Sequence, residues 1–176
     1  GGPGSRAVVW AHNSHIGDAR HTEMGMRGEL NLGQLYRQQW GEDAALIGFG
    51  THAGTVAAAS DWDEPMEVMD VRPSLRESYE RIFHDTTAEG RKLKNALFDV
   101  RRGVHEDARA ELESPRLERF IGVVYRPETE RYSHYQRAVL PAQFDTFVWF
   151  DDTRAVDALP AETRPGAIPD TYPFGL

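Results

Sequence analysis

Two histidines three positions apart, in the run His12-Asn13-Ser14-His15, are the sharpest chemical feature of the sequence. Imidazole changes charge near neutral pH. A pair aimed into one cleft can therefore shuttle a proton while it polarises a carbonyl or holds a water. The same residues also fit a plainer role, with one ring capping a helix or shaping a loop and the other solvated. A metal is a third option, since two histidines at this spacing can share one zinc, but a third ligand is required. His52 and Asp18 are candidates for it, although no spacing ties either to the pair, and the helical His-Glu-x-x-His pattern is absent. The expectation is a site without metal or cofactor.

Other candidates are weaker. His52 follows a second apolar run and either faces the same cleft or is simply a polar residue at a strand end. Ser14 lacks the Gly-x-Ser-x-Gly elbow that exposes a nucleophile. Gly48, Gly50 and Gly54 are not followed by the Gly-Lys-Ser/Thr of a phosphate loop. Asp99 and Asp145 sit beside apolar runs and read as hydrogen-bonded structural groups. Tyr125 and Tyr135 either contact a ligand or wall a core. Arg101-Arg102 reads as solvated surface.

The elements that must hold these residues alternate between strand and helix. Ala7–Ala11 is a short apolar run that predicts a buried strand ending at the histidines, where open α/β sheets place ligand sites. Residues 22–39 read as a helix capped by Thr22, weakened by Gly25, Gly28 and Gly33. Residues 44–50 predict a second buried strand, continuing over 56–60, and 68–71 an edge strand. Pro73 opens a predicted helix over 74–83. Strands are expected at 97–100, 119–125 and 143–150, a short helix at 132–139, and a charged surface over 103–116. The pattern predicts an α/β fold, a three-layer arrangement with a mostly parallel sheet flanked by helices.

Composition sets the limits. With 40% hydrophobic residues among 176 there is material for a core, and the absence of cysteine excludes disulfides and thiolate chemistry. A net charge of −8 without a dense Lys/Arg cluster argues against nucleic acid as a partner. No apolar run approaches the roughly 20 residues that span a bilayer, and no signal peptide is visible, so a cytoplasmic location away from membranes is expected. The start Gly1-Gly2-Pro3-Gly4 lacks methionine and reads as a cut or a linker. The expected organisation is a flexible lead-in over 1–6, a domain portion over 7–155 and a Pro-rich irregular tail over 156–176.

These residues resemble a known family. Val8-Val9-Trp10-Ala11-His12-Asn13-Ser14-His15-Ile16-Gly17 is similar to an active-site segment of erythromycin-esterase-like proteins. Met24-Gly25 with Leu30, Leu46-Ile47-Gly48-Phe49 with Gly54-Thr55, Pro73-Ser74-Leu75-Arg76-Glu77, the run from Arg119 to Pro127, and Gln143-Phe144-Asp145 follow in the family's order. The resemblance spans about residues 7–155 and implies the C-terminal portion of such a domain. It implies a hydrolase that activates water with histidine and glutamate, without metal or covalent serine, on a small-molecule ester or lactone. Some relatives open macrolide lactones and so confer antibiotic resistance. By carry-over His12 and His15 are catalytic, positioning water or stabilising the oxyanion. Asn13, His52 and Tyr125 are the expected substrate contacts on the residues' own reading, with Asn13 otherwise holding a neighbouring group by a hydrogen bond or shaping the turn. The family's further Glu and His, with the general base, lie in an N-terminal half that has no match here. That missing half is the expected partner, and a non-catalytic small-molecule binding module on the same fold is the alternative.

Overall fold

The computed structural model describes residues 2 and 4–157; most of the Pro-rich tail lies outside the described residues. Single helical turns α1 (Asn13–Ile16) and α2 (Glu23–Met26) precede helix α3 (Leu32–Trp40) and strand β1 (Ile47–Ala58). Then come β2 (Glu67–Val71), α4 (Tyr79–Asp85), a small hairpin of β3 (Thr87–Ala88) and β4 (Arg91–Lys92), β5 (Asn95–Asp99) and α5 (Glu106–Leu112). The chain closes with β6 (Arg116–Arg119), α6 (Glu130–Ser133), β7 (Tyr135–Ala138), α7 (Leu140–Gln143) and β8 (Thr146–Thr153).

The result is a mixed α/β fold. Its main sheet has the order β2-β1-β8-β5, and β6 pairs with β7 separately. Of the three pairings in the main sheet only β1–β8 is parallel. The pleat gives that sheet two unlike faces. Gly48, Phe147 and Phe98 stand in one row across β1, β8 and β5, with Gly50, Trp149 and Ala96 in a second row on the same face. Phe83 of α4 packs on this face, 5.3 Å from Phe147 and 5.4 Å from Trp149 between ring centres. Leu46, Tyr79, Val100, Leu112, Leu140 and Phe144 complete the core. Gly48 and Gly50 are needed for this closeness. A Cβ at either would stand within 2.9 Å of the Phe144 or Phe147 rings.

Several expectations fail for identifiable reasons. Ala7–Ala11 is not a buried strand: among the described residues it pairs with no strand, and Val8 and Trp10 are 91% and 87% exposed. Apolar content makes a strand only where an edge is free to pair, and the nearby edge of β1 is taken by the Asn13 side chain. The helix over 22–39 breaks in two at Gly28, whose φ of +87° ends the α2 turn, and Asn31 caps the second piece by accepting from the Gln34 N–H. Thr22 does cap the first piece. The helix after Pro73 begins only at Tyr79, capped by Ser78. Of the strand expected over 119–125 only Arg119 is in one, as the last residue of β6, and the residues beyond it meet the end of β1 through a bridge between Val124 and Ala59. Residues 135–138 are strand rather than helix, because the β6 ladder offers partners that local propensity does not show. Within 103–116 the surface carries helix α5, with Arg109 and Leu112 buried. The edge strand at 68–71 and the continuation of β1 through 56–58 are as expected.

Candidate active site

The histidine run folds into α1, and three neighbours fix it. His12 caps the turn, its Nδ1 accepting from the Ser14 N–H at 3.3 Å with Ser14 Oγ at 2.8 Å. The Asn13 amide clasps the backbone of Phe49: its Nδ2 donates to the Phe49 carbonyl at 2.6 Å and its Oδ1 accepts the Phe49 N–H at 3.1 Å. One side chain thus replaces a strand partner along a stretch of β1 that β2 does not reach. Asn31 donates to the carbonyls of Ser14 and Gly17, each at 2.7 Å. Gly33 lets α3 lie directly on the turn, since a Cβ there would sit 2.2 Å from the Ile16 carbonyl oxygen.

The two imidazoles are neighbours, 6.3 Å between centres with planes at 71°. Their surroundings differ. His12 lies edge-on to Phe120 at 6.2 Å. Burial lowers its proton affinity, the hydrogen-bonding Ile121 backbone opposes that, and His15 and His134 lower it further. His12 is therefore held neutral, with Nδ1 an acceptor and its proton on Nε2. His15 is exposed and lines a cavity of about 200 Å³ with Ser14, Ala19, Met24, Glu29, Leu30 and Asn31. His12 does not line it. The capping role describes His12, and the solvent-facing role describes His15.

His52 lies elsewhere. It stands beside Asp151 in the parallel β1–β8 register, beneath α4. Its ring stacks on His84 at 3.6 Å, its Nδ1 is 2.7 Å from Ser74 Oγ, and His84 Nδ1 is 2.6 Å from Asp151 Oδ1. Burial first, then the neighbouring His84 and Arg81 charges, push His52 down to about 4, so it too stays neutral. Tyr125 is fully buried; its hydroxyl donates to Glu130 Oε1 at 2.9 Å and accepts from the Arg72 N–H at 3.1 Å, while Arg119 pairs with Glu130 at 3.1 Å. Burial raises Tyr125 to about 12. Asp18 is paired with Arg20 at 2.5 Å, and Asp145 holds Arg37 and the Leu46 N–H. Among the described residues no group of three or more His, Asp or Glu converges as a metal site.

Sequence reasoning missed several groups. Glu29, which lines the same cavity as His15 and pairs with Arg27, carries no motif. The His84–Asp151 pair is 67 positions apart, and only strand pairing brings it to His52. Glu118 looks like a surface charge in Arg-Leu-Glu-Arg, yet it is fully buried with Gln143 Nε2 donating to its Oε2 at 2.5 Å. Burial drives its carboxyl up to about 8, opposed by Gln143 and reinforced by Glu80. The Gln143 carbonyl in turn accepts from the Asp18 N–H, just past α1.

Comparison with known proteins adds to this geometry. A family model described as erythromycin esterase matches residues 2–153. Among solved structures, a succinoglycan biosynthesis protein is similar at 20% identity with a TM-score of 0.62. A protein from Bacillus cereus is similar at 17% identity with a TM-score of 0.65. Each similarity covers 83% of this chain and 33% of the other. The chain spans about a third of the length of these structures, and the likeness is one of fold.

Proposed function

This chain belongs to the erythromycin esterase family, and on that premise we propose that it is the histidine-bearing portion of a hydrolase that cleaves a carboxylic ester or lactone with activated water. The observation that carries the reading is the clamped α1 turn, which presents His15 to a cavity while His12 is held neutral behind it. Water adds to the substrate carbonyl, the C–O bond to the alcohol breaks, and acid and alcohol leave. A base must take the water's proton and donors must steady the oxyanion. His15 is the ring placed to touch water or carbonyl. His12, committed to Ser14 and Ile121, positions it. Ser14 Oγ lies 2.8 Å from His12 Nδ1, but it lacks the strand-to-helix elbow that exposes a nucleophile, so water and not Ser14 is taken as the attacking group. Glu29, on the wall of the same cavity, is a carboxylate within the chain, and the general base comes from the remainder of a longer polypeptide. That remainder also completes a three-layer arrangement around the sheet. Asn13, whose amide is spent on Phe49, serves the site by holding the turn.

A second reading, a binding module without the reaction, is favoured by one observation: the Asn13 amide, the Tyr125 hydroxyl and Nδ1 of His12 are engaged within the chain. The two separate in a hydrolysis assay with macrolides and simple esters, run on the chain alone and on the longer parent. Turnover by the parent, with little by the isolated chain, supports the hydrolase. Saturable ligand binding by the parent without turnover supports the module, and robust His15-dependent turnover by the isolated chain overturns the idea that it is incomplete.

A further inference from the structure

Residues 120–126 run from the end of β6 to Pro127, and a bridge at Val124 is their strand pairing among the described residues. Two buried side chains four positions apart clasp this segment at its ends: Glu130, which opens α6, and His134, which follows it as its C-cap. Glu130 Oε1 accepts from the Arg119 guanidinium at 3.1 Å and from the Tyr125 hydroxyl at 2.9 Å. His134 spans the next pair. Its Nε2 accepts the Arg126 N–H at 2.9 Å, and its Nδ1 stands 3.2 Å from the Phe120 carbonyl oxygen. A neutral ring that accepts at Nε2 carries its proton on Nδ1, so Nδ1 donates to that carbonyl. The backbone carbonyl of His134 also accepts the Phe120 N–H, at 2.7 Å. One residue therefore holds both backbone groups of Phe120. Burial above all lowers the proton affinity of His134 and favours this neutral form.

The clasped segment faces the candidate site. Outside its own turn, His12 meets the Phe120 ring edge-on at 6.2 Å and has the Ile121 backbone as a hydrogen-bonding neighbour. We infer that His134 is a positioning residue for the active-site pair: it fixes Phe120 and Ile121, these fix the orientation of the His12 ring, and the ordered ring steadies the turn that aims His15. The inference rests on the reading of His12 and His15 given above. The two clasps divide the work. Glu130 ties Arg119 to Tyr125, whereas His134 acts on Phe120, the residue whose ring touches His12. Removing the His134 imidazole therefore loosens Phe120 while Glu130 still closes the segment behind it.

Two conservative variants separate positioning from bulk stability. His134→Asn places an amide N–H near the position of Nδ1 and can keep the bond to the Phe120 carbonyl. His134→Gln reaches the position of Nε2 and can keep the bond from the Arg126 N–H instead. In the 176-residue chain, the ring nitrogen shifts of His12 are read by NMR. The expected result is a single Nε2-protonated His12 in the wild type and in His134→Asn, and a mixture of tautomers in His134→Gln. In the longer parent, His134→Gln should lower kcat for ester hydrolysis about tenfold or more with KM changed less than about twofold, and His134→Asn should retain most of the activity. His12 spectra that are alike in the Asn and Gln variants would overturn the inference, whether both keep the wild-type tautomer or both lose it. A wild-type parent that hydrolyses no ester sinks only the proposed function, because the His12 spectra still decide whether His134 orients that ring. Hydrolysis unchanged in both variants sinks only the positioning role.

Discussion

Replacing Glu118 with glutamine should stabilise the protein in mildly alkaline solution and flatten its dependence on pH. Glu118 is fully buried, its Oε1 has no partner among the described residues, and its Oε2 receives a neutral amide from Gln143. The charged group nearest in effect is Glu80 on α4, itself raised by burial and relieved by the Arg119 N–H. The folded carboxyl therefore keeps its proton up to about 8 against an ordinary value of 4.5. Because the folded state binds the proton more tightly, its stabilising share is full below pH 4.5 and is lost as pH rises towards 8. At about 1.4 kcal/mol for each pH unit, this caps the loss at about 5 kcal/mol, with relaxation and water entry reducing it to a few kcal/mol. Glutamine is neutral throughout and can still accept the Gln143 amide. Urea melts of both proteins from pH 5 to 9 check this. The wild type should weaken steadily between pH 5 and 8, and Glu118→Gln should weaken far less and be the more stable protein at pH 8. Parallel curves, or a variant weaker at every pH, would refute a protonated carboxyl at this position.

Other expectations concern the turn and its surroundings. Asn13→Ala strands the Phe49 N–H and carbonyl and should destabilise the fold by about 1–3 kcal/mol in chemical denaturation, with faster hydrogen exchange at Phe49. Gly33→Ala drives a methyl into the Ile16 and Gly17 carbonyls and should lose about 1–3 kcal/mol or more, the His15 resonances shifting most in NMR spectra. The His52 ring should titrate near pH 4 and remain neutral at pH 6; since its folded value is depressed, the stability it supports is lost as pH falls from 6.5 to 4. Tyr125→Phe removes the donor to Glu130 and the acceptor for the Arg72 N–H, and should cost about 1–3 kcal/mol in thermal or urea unfolding.

Much of the architecture was legible where local pattern and final environment agree. The apolar run leading into β1, the β2 edge and the run of β8 declared themselves, as did Thr22 as a cap. The reading failed where a long-range partner decides. Val8, Val9 and Trp10 look like a buried strand, but among the described residues no strand lies alongside them. Tyr135–Ala138 becomes a strand only because β6 is there to pair with it. In the site, the proximity of His12 and His15 followed from their spacing. The unequal roles did not, since they depend on Phe120 and Ile121 pressing on one ring and a cavity opening beside the other. His52 was singled out by type, yet its partners His84, Ser74 and Asp151 come from elements distant in sequence.

The most direct measurement is kcat/KM for hydrolysis of a chromogenic ester and of a macrolactone by the longer parent protein, compared with its His15→Ala and His12→Ala variants. The account predicts a fall of about 10²-fold or more for His15→Ala, matching a group that acts on the reacting atoms. His12→Ala should lose activity together with order in the α1 turn, seen as faster hydrogen exchange over residues 13–17. Undiminished hydrolysis by His15→Ala in a folded protein would contradict it.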